Sequence, residues 1–229
     1  MMPEWLKLRK MNVDVVGDPS LVSSPEVLES LKTLGEVSHQ LSVEHFFKLP
    51  EKTSFQISKH GSYYAFLAPW KRRMNIFVAS IENGGEKILT QFEDRNISSF
   101  AWASDDRILF IKDDGGDENF HLWTIGLNDD TPRDLTPFDG VRCELINMLV
   151  EDDDHVLISL NKNNPQVFDP YRLNIKTGEL TQLAKNNDPT APIVAYMADH
   201  KGRLRVASQL IDGVVSVLLY RDSEDEPFR

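Results

Sequence analysis

Cysteine is almost missing from this sequence: one residue, Cys143, in 229. No intrachain disulfide can form, and a chain so poor in thiols suits a reducing compartment. Long apolar runs are missing too, since none approaches the ~20 residues that cross a bilayer as a helix. The first residues, MMPEWLKLRKMNVDVV, are basic but lack an uninterrupted apolar stretch followed by a small-residue cleavage site. These absences set the expectation of a cytoplasmic protein. Positive charge is also scarce, with 25 Lys and Arg against 36 Asp and Glu and a formal net charge of −11. A field of that sign repels phosphate backbones and anionic lipid, so nucleic acid and membrane surfaces are not expected partners.

What remains is an ordinary globular composition, 41% apolar and 27% charged, in a chain long enough for one large domain or two small ones. Residues 1–42 read as an N-terminal extension with one helix. Ser24 can cap it with Pro25 in the first turn, or Ser23 can cap it with Glu26 closing a capping box. Val27, Leu31, Leu34 and Leu41 follow at helical spacing, with Gly35 interrupting or ending the helix.

Residues 43–229 read as a partial propeller domain, and from about residue 53 the chain is a series of short β-branched and aromatic runs that recur. SKHGSYYAFLAP (58–69), SDDRILFIKDD (104–114), DDDHVLISLNK (152–162) and DHKGRLRVASQ (199–209) are each a polar turn leading into an apolar strand. A second set is NIFVASI (75–81), HLWTIGL (121–127), YRLNIKT (171–177) and SVLLYRD (216–222). A third is EKILT (86–90), PRDLT (132–136) and ELTQLA (179–184), whose Leu89, Leu135 and Leu183 lie 46 and 48 residues apart. Inner strands fit ahead of each turn, at 54–58, 97–104, 144–151 and 192–198. Strand sets recurring at that period are the signature of a β-propeller, one four-stranded blade per repeat. The fold class is therefore all-β: three complete blades of antiparallel strands (about 53–91, 97–136 and 144–184), a partial fourth (about 192–229), and a helical N-terminal segment. An open blade leaves strand edges that invite association, including with a second copy. A strand at 42–49 (SVEHFFKL) closing a four-bladed ring is the alternative.

The segments FFKLP (46–50), FQISKHGSYYAFLAPWKRRMNIFV (55–78), FAWASDDRILFIKDDGGDENFHLW (100–123), RDLTPFDGV (133–141) and VLISLNKNNPQVFDPYRLNIKTGEL (156–180) resemble the N-terminal propeller of the prolyl oligopeptidase family, in its dipeptidyl aminopeptidase/acylaminoacyl-peptidase branch. KHG at 59–61 departs from the Pro-Asp-Gly usual there, which alters only a turn. The resemblance implies a serine peptidase whose propeller caps an α/β-hydrolase domain and admits only short peptides. It implies no cofactor, and it places the catalytic Ser, Asp and His in the hydrolase domain. No Gly-x-Ser-x-Gly elbow occurs in these residues, so none of the three is carried over and the chain alone is not expected to hydrolyse peptides.

Other chemistry finds little purchase. The six histidines do not converge with a cysteine as zinc requires. DDGGDEN (113–119) fails the EF-hand spacing from either of its first two aspartates. Loop content is more telling. Labelling the strands of a blade a to d from the inside out, the b–c and d–a connections leave one face and the a–b and c–d turns the other. The a–b and c–d turns are generic hairpin sequence. The b–c loops, APWKRRMN, DDGGDEN and NKNNPQVFD, carry Trp70, Arg72, Arg73, Asp117, Glu118, Asn119 and Phe168, side chains able to bond or stack. These are the candidate substrate-side or interdomain residues, with pairing of Arg73 to Glu118 or Asp117 across blades as a second role. The sequence also leaves open a stand-alone propeller serving as a protein-interaction scaffold.

Overall fold

The computed structural model describes Ser24–Glu26, Glu29 and residues 43–229. The chain divides into two compact units, Met1–Lys48 and Leu49–Arg229. In the first, Pro25, Glu26 and Glu29 are helical. The other residues of the predicted helix lie outside the described ones. Residues Val43–Phe47 form a five-residue helix, α1, and not the closing strand offered as the alternative above. The reason is local. The apolar residues Val43, Phe46 and Phe47 fall at i, i+3 and i+4, the spacing of one helix face, and do not alternate as a strand requires.

The second unit is a run of antiparallel sheets. Blade 1 is β1 (Thr53–Ile57), β2 (Tyr63–Trp70), β3 (Arg73–Ser80) and β4 (Gly84–Ile88). Blade 2 is β5 (Ser99–Trp102), β6 (Arg107–Lys112), β7 (His121–Gly126) and β8 (Arg133–Asp134). Blade 3 is β9 (Cys143–Asn147), β10 (His155–Leu160), β11 (Asp169–Asn174) and β12 (Leu180–Gln182). Blade 4 has β13 (Ile193–Ala198), β14 (Leu204–Ile211) and β15 (Val215–Tyr220). In every sheet the strands lie in chain order, each hydrogen-bonded to the next. The last residue, Arg229, exchanges both backbone hydrogen bonds with Tyr220 (2.9 and 3.0 Å). It therefore lies beside the third strand of its blade, as Lys87 lies beside Val78 in blade 1.

The second strand of each of the first three blades is apolar on both faces because both faces are covered. In β2, Ala65 and Leu67 pack toward blade 2 with Ile76, Phe100, Ile108 and Phe110. On the opposite face Phe66 stacks between Phe55 and Phe77 at 5.1 and 5.7 Å. A second core joins blades 2 and 3 around Leu109, Leu122, Val156, Ile158 and Leu173. A third joins blades 3 and 4 around Leu149, Leu157, Tyr196, Leu204 and Ala207. The cores thus sit between blades, so each blade depends on its neighbours for burial. In the third of them Gly202 has φ of +71°, and a Cβ there would come within 2.6 Å of Leu149 Cδ2. Both the backbone and the space require glycine.

The recurring Leu-Thr pair has a physical role. Leu89 and Leu135 donate their N–H to Ile76 and Leu122 carbonyls, both at 2.8 Å. Thr90 and Thr136 then accept the N–H of Ile76 (2.9 Å) and Leu122 (3.0 Å) through their hydroxyls. Each pair closes the outer ladder at a buried end, where a free N–H would cost about 1–3 kcal/mol. In blade 3 the same place holds Leu183 and Ala184, and only the backbone bond, Leu183 to Pro170, is made.

Candidate functional site

The two faces of the propeller are built differently. On the a–b/c–d face, turns of separate blades are tied together. Lys59 in the first a–b turn donates to Val150 O (2.8 Å) and to Asp153 (2.7 Å) in the third. His60 donates its backbone N–H to Asp105 of the second at 2.8 Å, and its ring Nδ1 meets the other carboxylate oxygen. Arg133 reaches from blade 2 to the carbonyls of Ile175 (2.6 Å) and Lys176 (2.7 Å) in blade 3. Of the a–b turn histidines, His60 docks blades through Asp105, while His155 pairs with Asp152 inside its own turn.

The His60 backbone N–H, with help from the Ser58 hydroxyl and the His60 ring, holds Asp105 down to about 2 from its ordinary 3.8. A depressed carboxyl stabilises the fold where it is ionised. The contribution is complete above about pH 4 and is lost as pH falls through about 2. Urea midpoints of Asp105→Asn should lie below those of the parent at pH 6, and the gap should narrow steadily toward pH 2. A gap as wide at pH 2 as at pH 6 would contradict this assignment.

On the b–c/d–a face each b–c loop is pinned to a d–a connection. In blade 1, β2 and β3 meet in a two-residue turn with Lys71 at φ 46° and Arg72 at φ 68°. Both central residues are left-handed, a geometry that normally selects Asn-Gly, so two long cations stand where the backbone disfavours them. Lys71 pairs with Glu93 (2.7 Å) and lies 4.6 Å from the Trp70 ring centroid. Arg73 Nε donates to Glu93 O at 3.3 Å. Below the turn, the fully buried Asn75 accepts from Thr90 Oγ1 (3.0 Å) and Phe92 N (2.8 Å) and donates to the carbonyls of Arg73 (3.2 Å) and Phe92 (3.0 Å).

In blade 2 the anchor is Arg95, whose Nε and Nη2 each donate at 3.0 Å to one oxygen of Asp113. Asp113 is only 3% exposed. The Arg95 hydrogen bonds hold its carboxyl below the usual range, outweighing the upward push of burial. Gly115 (φ 58°), Gly116 (φ 91°) and Glu118 (φ 61°) bend the loop back over this pair. Asn119 donates N–H and Nδ2 to the two oxygens of Asp117, each at 3.0 Å, and lowers that carboxyl as well. In blade 3, Asn186 of the d–a connection donates its N–H to buried Asp169 (2.7 Å) and its Nδ2 to Phe168 O (3.2 Å).

The candidate residues are not brought together in one site: two line separate cavities and the rest lie in loops outside both. Arg73 lines a cavity of about 430 Å³ together with Arg95, Asn96, Ser54 and Asp113. Phe168 lines another of about 450 Å³ with Tyr196, Ser159 and Glu144, between β9 and β13. Trp70 and Arg72 occupy the hairpin of blade 1, while Asp117, Glu118 and Asn119 belong to the tip of the blade 2 loop. The cross-blade pairing anticipated for Arg73 is made instead by Arg95, to Asp113 and not to Asp117 or Glu118. Arg95 lies outside the b–c loops, where the sequence concentrates its candidate side chains. The charges of QFEDRN (91–96), in a d–a connection of the same face, were the available signal. Cys143 offers no nucleophile, since burial pushes its thiol up to about 12. Among the described residues, no group of three or more His, Cys, Asp and Glu side chains is placed to hold a metal ion, and no helix is long and apolar enough to cross a membrane.

The repeated four-stranded sheets, with cores between them and loops of distinct chemistry on one face, define a β-propeller. Solved structures share that fold at low sequence identity. Oligopeptidase B from Leishmania major matches with a TM-score of 0.55 and 10% identity, over 77% of this chain and 26% of its own. Oligogalacturonate lyase from Vibrio parahaemolyticus matches with a TM-score of 0.56 and 10% identity, over 80% and 54%. No family profile matches the chain. The dipeptidyl aminopeptidase BIII of Pseudoxanthomonas mexicana is 31% identical over 165 residues, 71% of this chain and 24% of the relative. The chain is a β-propeller portion of the prolyl oligopeptidase family. It spans about a quarter of the length of the curated relatives it matches.

Proposed function

We propose that this propeller belongs to a serine peptidase of the cytosol, and that its b–c/d–a face is turned toward an α/β-hydrolase domain and the short peptides that domain cleaves. The difference between the two faces carries the reading. One face has its turns tied blade to blade by Lys59, His60 and Arg133. The other presents long polar and charged loops, each held from behind by a d–a connection through Glu93, Arg95 or Asn186, the arrangement that positions ligand-binding side chains well. A propeller oriented this way restricts entry by size and supplies contacts to the peptide, while the nucleophile comes from the hydrolase domain.

Alanine at Arg72, Arg73 or Glu118 in the full-length protein is expected to lower kcat/KM for dipeptidyl or acyl-aminoacyl chromogenic substrates by about tenfold, the worth of one charge-assisted contact. Alanine at Lys176 or Asp106, on the opposite face, should change it less than about twofold. Equal effects from both faces would overturn the orientation. Hydrolysis insensitive to a serine-directed phosphonate would overturn the peptidase class.

A further inference from the structure

The cavity shared by blades 1 and 2 has an unusual balance of hydrogen-bonding groups. Its carboxylate, Asp113, already has both oxygens taken by Arg95. Its donors are far less engaged. Arg73 uses only Nε, leaving both Nη groups without a hydrogen-bond partner among the described residues. Asn96 accepts the N–H of Met74 at 2.9 Å through Oδ1, and its Nδ2 has no hydrogen-bond partner among the described residues. The hydroxyls of Ser54 and Ser98 complete the polar wall, and Leu67, Met74 and Phe120 supply an apolar one.

Ser54 is held at φ 56° by a bulge that breaks the register of β1 between Thr53 and Gln56. Such a conformation costs about 1–3 kcal/mol and persists where the surrounding structure enforces it. The result is a pocket rich in donors, with an uncompensated guanidinium, on a protein of net charge −11.

We infer that this cavity binds a carboxylate of a short peptide, with Arg73 as the charged clamp and Asn96 and Ser54 as neutral donors. A carboxylate offers two acceptor oxygens on a small footprint, matching a guanidinium fork supplemented by an amide and a hydroxyl. The cavity volume accommodates one or two residues of a peptide beside the charged group. Arg95, engaged by Asp113, is a positioning residue that keeps the buried carboxylate from repelling the ligand. That the carboxylate belongs to a peptide rests on the peptidase reading above. It can come from a peptide C-terminus or from an acidic side chain.

The test is isothermal titration of the 229-residue chain with three probes: Ala-Ala-Ala as free acid, the same peptide amidated, and acetyl-Ala-Glu-amide. At least one carboxylate peptide should bind about tenfold or more tightly than the amidated one. The tighter of the two identifies the source of the carboxylate. Arg73→Ala should abolish that preference with the thermal midpoint unchanged, Arg73→Lys should retain part of it, and Lys59→Ala on the opposite face should leave it intact. Equal binding of acid and amide, or an Arg73→Ala variant that keeps the preference, would overturn the site. Carboxylate capture by this chain with no peptide turnover by the full-length protein would leave the site standing and remove the peptidase reading. Turnover without carboxylate preference would do the reverse.

Discussion

Arg221→Ala is expected to destabilise the protein by about 3–5 kcal/mol, one of the largest losses available to a single substitution here. The guanidinium is 2% exposed and joins blade 4 to blade 3. It donates to Leu204 O (2.8 Å) within its blade, to Leu183 O (3.3 Å) in the preceding one, and to Glu224 O (3.0 Å). It also lies 4.5 Å from the Phe228 ring centroid. Burial pushes the guanidinium below its ordinary value, against the pull of Glu224. Truncation leaves three carbonyls without their donor, each costing about 1–3 kcal/mol, and removes packing against the ring. Because the blades stack in sequence, the loss should be local. Hydrogen exchange should accelerate in β13–β15 well before it does in β2 or β6. Uniform acceleration across all four blades, or an unchanged urea midpoint, would show that Arg221 does not carry this joint.

The second large effect is a contrast between two partners in one ion pair. Lys112 is 4% exposed, and its Nζ donates to Asp94 (2.7 Å) and to Asp113 O (3.1 Å). The ammonium lies 4.8 Å from the Phe92 ring centroid and 5.8 Å from that of Trp123. Burial raises the Asp94 carboxyl, but the Lys112 hydrogen bond and charge, with backbone donors, leave it below the ordinary value. Asp94→Ala strands a buried ammonium and should cost about 2–3 kcal/mol, the low end for a broken buried pair because this carboxylate is half open to water. Lys112→Met removes the charge, fills the space between the rings and leaves Asp94 to solvent, so it should cost within about 1 kcal/mol. Urea midpoints at constant m-value would measure both. A Lys112→Met variant as unstable as Asp94→Ala would mean that the ammonium contributes net stability of its own.

The outcome at α1 shows how far a local pattern reaches. A closing strand at 42–49 is the alternative the repeat count allows, yet the apolar spacing of VEHFF is helical, and the helix is what forms. Where apolar runs recur blade after blade, as in RILFIK and HVLISL, the strands lie where the repeat places them. The loops divide on the same ground. That the glycines of DDGGDEN make a bend follows from composition. That Asp113 is its buried member does not, because nothing in the loop ranks Asp113 above Asp114 or Asp117.

The sequence by itself determined the blade count, the strand order within each blade and the face from which each loop departs. Those properties follow from apolar runs bounded by turn residues and recurring about every 47 residues, which local chemistry writes along the chain. Only the tertiary structure decided which charges meet. Arg95 reaches Asp113 because a d–a connection crosses behind a b–c loop, and Lys59 reaches Asp153 because two turns 94 residues apart converge. Pairings of that kind depend on the angles between neighbouring blades. Those angles are set by the cores packed between the sheets, and no short stretch of sequence encodes them.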